Sequence, residues 1–367
     1  MLTRGTAKRT RDELVTLTEG MAGSVAGLSA RNSIGVSGKF LSKDFDLALD
    51  IVSDVILNPA FPEDELKKLR DDRLAAIKRE EDELSGYTFK LLRKAMFKTH
   101  PYGLSPSGEI DTVSAFDRKV VGEFHKKTFA PERMVMAVVG DFDSRAAAEK
   151  IKAAFKGFKR SGETLKPPAQ EARQNEPRKT GDSKDKAQTH IAIAFQGTRV
   201  TDEDNLALEV LSQILAGQGG RLFIELRDKQ SLAYVVDAYS VPGVDPGLFG
   251  VYIGTSPDKK EAAITGMLAE LKKVLAEPVT DDELSRAKSA MIGGYEIGLQ
   301  DPGAKAADMA TNELIGLGLD HYRKYAKKLG GVTKDDVLKA ARKYIRLDAY
   351  TMAIVGPGEG VKAEPAK

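Results

Sequence analysis

Three short stretches in the first half of this chain return, in the same order, in its second half, and that repetition limits the folds open to it more than any other feature. Asp54-Val-Ile-Leu-Asn-Pro59, followed by Glu65-Leu66, returns as Lys273-Val-Leu-Ala-Glu-Pro278 followed by Glu283-Leu284, at offsets of 219 and 218. Met134-Val-Met-Ala-Val-Val-Gly140 returns as Tyr350-Thr-Met-Ala-Ile-Val-Gly356, at an offset of 216. Coincidence explains any one of these matches. Their common order and spacing point instead to two copies of one domain. A length of 367 residues agrees, since it suits two domains of ~150 residues each.

The copies are expected at residues 1–157 and 189–357, with a tail at 358–367 expected to be disordered. Between them, 158–188 is polar and holds Pro167, Pro168 and Pro177 but almost no large apolar side chain. Such a segment buries too little surface to offset its ordering, so it reads as an interdomain linker. The second copy opens with a strand, His190–Gln196, and a helix over 203–216. Subtracting 218 places their counterparts ahead of Met1, so the first copy lacks one strand and one helix. The expectation is that the natural protein starts upstream of Met1 or that a partner covers the gap.

Composition narrows the chemistry. Fifty-six basic and 54 acidic side chains leave a formal charge of +2, which gives no reason to expect nucleic acid or an anionic membrane as partner. The chain has no cysteine, which excludes disulfides, zinc ribbons and thiol catalysis. It has four histidines, His100, His125, His190 and His321, which restricts metal chemistry. No apolar run is long enough for a membrane span, and the first ten residues carry no apolar signal core.

Patterning predicts helices over 8–20, 44–57, 63–84, 87–98, 112–128 and 144–155 in the first half, a hairpin from Ser24–Ala30 and Ser33–Phe40, and a strand at Met134–Val139. The 63–84 helix is highly charged, with Leu66, Leu69, Leu74 and Ile77 marking its inner side. The second half predicts strands at 190–196, 233–239, 248–253 and 350–355, and helices at 203–216, 259–276, 281–299, about 303–316 and 334–344. The fold class is therefore α+β: two homologous domains, each a mainly antiparallel sheet with helices packed on one face.

The stretch Arg221–Tyr239 reads as a short helix, a turn and a strand. Arg227 falls in the last helical turn and Tyr234 at the strand start, so both side chains meet at one corner. Locally, Arg227 caps a helix C-terminus and Tyr234 is a half-buried strand residue. Gly217-Gln-Gly-Gly220 has neither the Gly-Lys-Ser/Thr of a P-loop nor G-x-G-x-x-G, and it follows a helix, so it is a helix stop and turn. His125 and His190 have no second ligand nearby and read as surface or packing residues.

The set of motifs resembles the insulinase/pitrilysin-type zinc metallopeptidases, a class that includes the mitochondrial processing peptidases. Met1-Leu-Thr-Arg-Gly-Thr-Ala-Lys-Arg resembles the segment that follows the family's H-x-x-E-H helix. Asn58-Pro-Ala-Phe61, His100-Pro-Tyr-Gly103 and Val138-Val-Gly-Asp141 resemble its first domain. Leu226-Arg227-x4-Ser231-Leu232-x-Tyr234 resembles the Arg/Tyr pair of its second domain.

In that family two His and a Glu bind zinc, and the Glu between the histidines activates water. This chain contains no H-x-x-E-H, and the position matching the third ligand is Ala76, which has no ligating atom. Glu80 and Glu81 lie a helical turn further on, about 6 Å away, and read as solvated helix charges. The resemblance thus implies the non-zinc subunit of a bacterial two-subunit peptidase, located in the cytoplasm or periplasm. It binds no cofactor itself, and its partner is a zinc-bearing subunit of the same family. Arg227 and Tyr234 would contact the peptide substrate and stabilise the developing oxyanion. The alternatives are a zinc metallopeptidase whose recorded start is too late, and a non-enzymatic scaffold of the same fold.

Overall fold

A computed structural model describes residues 1–162 and 164–358. In chain order its elements are α1 (Arg11–Gly20), β1 (Ser24–Ser29), β2 (Ile34–Lys39), α2 (Phe45–Leu57), α3 (Glu63–Glu80), α4 (Leu84–Met96), α5 (Ile110–Ser114), α6 (Arg118–Thr128) and α7 (Ser144–Ala154). There follow β3 (Arg178–Ser183), β4 (Thr189–Gln196), α8 (Asn205–Leu215), β5 (Val235–Val241), β6 (Leu248–Thr255), α9 (Lys260–Ala276), α10 (Asp281–Gly298), α11 (Pro302–Leu314), α12 (His321–Gly330), α13 (Lys334–Tyr344) and β7 (Thr351–Gly356). A π-helix, Phe223–Lys229, lies between α8 and β5. Apart from Gly358, the expected tail lies outside the described residues.

These elements form two compact units. One comprises Met1–Ile77, Pro106–Lys166 and Ile297–Tyr322; the other comprises Lys78–Ser105, Pro167–Glu296 and the chain from Arg323 onward. The repeat shows in the elements themselves. α3 begins at Glu63 and α10 at Asp281, an offset of 218, and the same offset separates α4 from α11. Yet α4 falls in the second unit and α11 in the first. Each repeat thus contributes this helix to the unit built mainly from the other repeat.

The second unit is built on a five-stranded sheet in the order β3-β7-β4-β6-β5. Every neighbouring pair is antiparallel except β3 and β7. β4 and β6 are buried almost throughout, because both their faces are covered. Ile191, Ile193 and Phe195 of β4 and Phe249, Val251 and Ile253 of β6 pack with α8, α9 and α13. Alternate residues point the other way. There Ala192 and Ala194, small enough to admit a helix closely, meet Leu92 and Met96 of α4. α4 therefore adds a helix to the face opposite α8, α9 and α13.

Strand β3 lies inside the segment expected to be a linker. Its anchors are polar and backbone groups, which an apolar-content argument does not weigh. β3 pairs in register with β7, and Arg178 Nη1 donates to the carbonyls of Ala95 and Met96 at the end of α4, at 3.2 and 3.1 Å. Buried Gln174 donates to the Tyr350 carbonyl at 2.6 Å and accepts from Thr351 Oγ1 at 2.9 Å.

The first unit holds the β1–β2 hairpin, paired antiparallel from Ser24↔Lys39 to Ser29↔Ile34. α2 packs its buried Ile51, Val55 and Ile56 with Leu14, Met21 and Phe129. The expected strand Met134–Val139 is not formed: the backbone there is irregular, and Val135, Met136 and Val138 are exposed. A strand exists by pairing, and none among the described residues pairs with this stretch. Its repeat counterpart, 350–355, is identical at three of six positions and forms most of β7, which lies buried between β3 and β4. The expected helix 112–128 is broken into α5 and α6, because Asp117 caps α6 by accepting from the Val120 amide at 2.8 Å. α12 is a helix that patterning did not identify.

Candidate functional site

The stretch that carries Arg227 begins where α8 ends. Gly217 has φ +72°, a left-handed conformation that glycine adopts without a steric penalty, so the helix stops there. Gly220 packs so tightly that a Cβ would overlap the carbonyl oxygen of Ala216. Leu222 and Leu226 then enter the core with no exposed surface. Leu226 lies against Gly266 of α9, where a Cβ would stand 2.6 Å from its Cδ2.

From Phe223 to Lys229 the helix widens to π spacing, a rare form that occurs frequently at functional sites. Ser231 takes φ +51°, and the chain reverses there. The Leu232 amide closes the turn by donating to the Leu226 carbonyl at 2.7 Å, and Lys259 Nζ donates to the Ser231 carbonyl at 2.9 Å. The Tyr234 amide donates to the Gly254 carbonyl at 2.9 Å and leads into β5.

Arg227 and Tyr234 thus stand at the two ends of one closed turn. Arg227 is exposed, and its guanidinium carbon lies 4.8 Å from the centroid of the Phe223 ring. Tyr234 is 58% exposed, not half-buried as the local reading has it. Among the described residues neither side chain has a hydrogen-bond partner. Their donors are therefore uncommitted.

Just ahead of the turn, Arg221 makes a two-pronged ion pair with Glu283, Nε to Oε1 at 2.6 Å and Nη2 to Oε2 at 2.8 Å. Glu283 Oε2 also accepts from the amide and hydroxyl of Thr280, at 2.8 and 3.0 Å. The Arg221 bond, together with these bonds and the Arg221 charge, outweighs burial and pulls the Glu283 carboxyl down to about 2. A carboxyl held below its unfolded value of 4.5 adds stability above that pH, and loses it as pH falls toward 2. Glu283→Gln should therefore cost most stability above about pH 4.5, the gap from wild type narrowing as pH falls toward 2. Urea midpoints measured across that range check this; a constant gap would contradict it. Patterning did not single out this pair. A signal was present, since Arg4 and Glu65 are its counterparts in the first repeat, at offsets of 217 and 218, and they too form an ion pair, at 3.1 Å.

The family's zinc does not fit the residues described here. Ala76, half-buried on α3, offers only a methyl group, and among the described residues no group of three or more His, Asp or Glu side chains is placed to hold a metal ion. Glu80 differs from its reading as a solvated charge: it is half-buried, and its Oε2 is enclosed without a hydrogen-bond partner. Glu81 is also half-buried.

Three histidines have packing roles. Buried His100 accepts from the Tyr102 amide at Nδ1, 3.1 Å, and its Nε2 faces Asp245 at 3.2 Å. His125 bonds the Ile56 carbonyl through Nε2 at 2.9 Å and stacks on Phe129, and burial lowers its pKa. His190 lies between the Tyr252 hydroxyl and Gln188, and burial lowers its pKa too. A cavity of about 610 Å³ is lined by residues that include His100, Arg199, Asp204, Asp245 and Lys343, but not Arg227 or Tyr234. Asp204 and Asp245 there are taken up by Lys343 and His100.

Comparison with known proteins agrees with this architecture. Residues 1–108 match the family model described as insulinase (peptidase family M16), and residues 115–291 match that of the peptidase M16 inactive domain. An uncharacterized zinc protease of Streptomyces coelicolor is 28% identical over 366 residues, spanning 97% of this chain and 79% of that protein. One of Mycobacterium leprae is 27% identical over 374 residues, spanning all of this chain and 82% of that protein. Two solved structures share the fold. A protease from Helicobacter pylori has a TM-score of 0.87 at 21% identity, covering 97% of this chain and 87% of its own. A peptidase M16 inactive domain protein from Pseudomonas fluorescens has a TM-score of 0.86 at 22% identity, covering 100% and 88%. No helix among the described residues is long and apolar enough to cross a membrane. Through both of its repeats, the chain belongs to the insulinase family of peptidases, family M16.

Proposed function

We propose that this chain is the non-catalytic subunit of a two-subunit peptidase, working with a zinc-bearing partner of the same family. The observation that carries this reading is the pair Arg227 and Tyr234, exposed at one closed turn with their donors free. A peptide carbonyl gains negative charge as its carbon becomes tetrahedral, and donors already aimed at that oxygen lower the barrier. Arg227 supplies a fixed charge and a fork of N–H groups, and Tyr234 a neutral O–H. The repeat supplies a contrast. Arg9, the counterpart of Arg227 at an offset of 218, is gripped by Asp50 and Asp54. The counterparts of those two acids, at an offset of 219, are Ala269 and Lys273. Arg227 is thereby left without an acidic partner.

A second reading, a zinc peptidase in its own right, is favoured by the names of the relatives, which are called zinc proteases. It needs a metal ligand where Ala76 stands. Peptide hydrolysis by this chain mixed with a zinc-bearing relative, with and without Arg227→Ala, tests the subunit reading. Activity in the mixture that is indifferent to Arg227 would reject it.

A further inference from the structure

We infer that Arg221 and Glu283 are a positioning pair, holding the π-helical turn so that Arg227 is presented beside Tyr234. This rests on the reading of Arg227 and Tyr234 as the groups that contact substrate. The turn emerges from Gly217-Gln-Gly-Gly220, which offers almost no side chain by which to anchor it. Arg221 is the first side chain after those glycines, and its partner is itself fixed. Glu283 lies in the first turn of α10 and is bound by the Thr280 amide and hydroxyl.

Two parallel N–H···O bonds fix orientation as well as distance. The packing of Leu222 and Leu226 sets how deep the segment lies, but apolar contacts are non-directional and set its rotation less firmly. Rotation matters here because π spacing is rare, and a segment released at one end can return to the commoner α spacing. Such a change would turn Arg227 about the helix axis, away from Tyr234. The other end is already tied by the Leu226–Leu232 bond and the Lys259–Ser231 bond. An ion pair stands at the equivalent place in the first repeat, Arg4 with Glu65, through a single bond at 3.1 Å. In the second repeat the pair is two-pronged, and it leads directly into the turn that bears Arg227.

The test uses the full chain with a zinc-bearing relative. Glu283→Gln and Arg221→Ala are each expected to lower kcat by about 10–100-fold, up to the roughly 10²-fold that a misplacement of about 1 Å can cost. KM should change little, and millimolar methylguanidine should restore kcat to Arg221→Ala. Hydrogen exchange should quicken at the amides of 223–230 and stay slow in β4 and β6. Wild-type kcat in folded variants, or a loss confined to KM and stability, would overturn the positioning role. Arg227→Ala is run beside them. If it leaves kcat unchanged, the function reading fails and this role falls with it; if it lowers kcat while the clamp variants do not, the positioning role alone fails.

Discussion

Arg227→Ala, assayed in the mixture with a zinc-bearing relative, is expected to lower kcat by about 10²–10³-fold, the usual effect of removing one donor from an oxyanion site. The chain's stability should hardly move. Arg227 is exposed, and its guanidinium lies over the ring of Phe223. An exposed cation–π contact is worth only about 0.5–1 kcal/mol. That separation makes the experiment clean: a catalytic loss with an unchanged urea midpoint cannot be ascribed to unfolding. Arg227→Lys keeps the charge but loses the planar fork, so an intermediate loss is expected. Tyr234→Phe removes one hydroxyl and leaves the ring, so it too should lower kcat without destabilising the fold. If Arg227→Ala and Tyr234→Phe both retained full activity, the corner they share would have no part in the chemistry.

Phe249→Ala is expected to act in the opposite way, on stability, with a loss of about 3–5 kcal/mol. Phe249 has no exposed surface and lies on β6 between β4 and β5. It stands opposite Phe195 in register, and both side chains belong to the core shared with α8, α9 and α13. Truncation removes the transfer energy of a benzyl group and leaves a cavity that fixed β-strand neighbours cannot close. The urea midpoint should fall strongly, with hydrogen exchange quickening across the sheet of the second unit. A loss below about 1 kcal/mol would mean that the core relaxes around the gap, contrary to the close packing expected of such interiors.

Periodicity made both units legible in outline: in the first, α1, the β1–β2 hairpin, α2 and α7 form where patterning places them. α8, α9, α10 and α13 follow apolar stripes, and β4, β6 and β7 follow short apolar runs, because each packs into a filled core. Met134–Val139 is as rich in strand-forming residues as its counterpart in β7 but has no strand partner among the described residues, so similar local propensity produces two different outcomes. Pairing is a tertiary event that a window of sequence does not contain. β3 was hidden for the converse reason, since its pairing with β7 is secured by Arg178 and Gln174, not by apolar side chains. The exchange of α4 and α11 between units was also out of reach, because a repeat reveals which elements correspond but not which sheet each one covers.

At the candidate site, the motif located Arg227 and Tyr234 but not the geometry that frees them. The π widening at Phe223–Lys229 leaves no mark in a 3.6-residue pattern. Nor does the clamp from Arg221 to Glu283, which joins residues 62 apart in sequence.

The most direct test of the central claim is the zinc content and peptidase activity of the purified chain, alone and mixed with a zinc-bearing relative. The account predicts no stoichiometric zinc and no hydrolysis from the chain alone, with activity appearing in the mixture and lost on Arg227→Ala. Stoichiometric zinc together with peptide hydrolysis by the chain alone would contradict it.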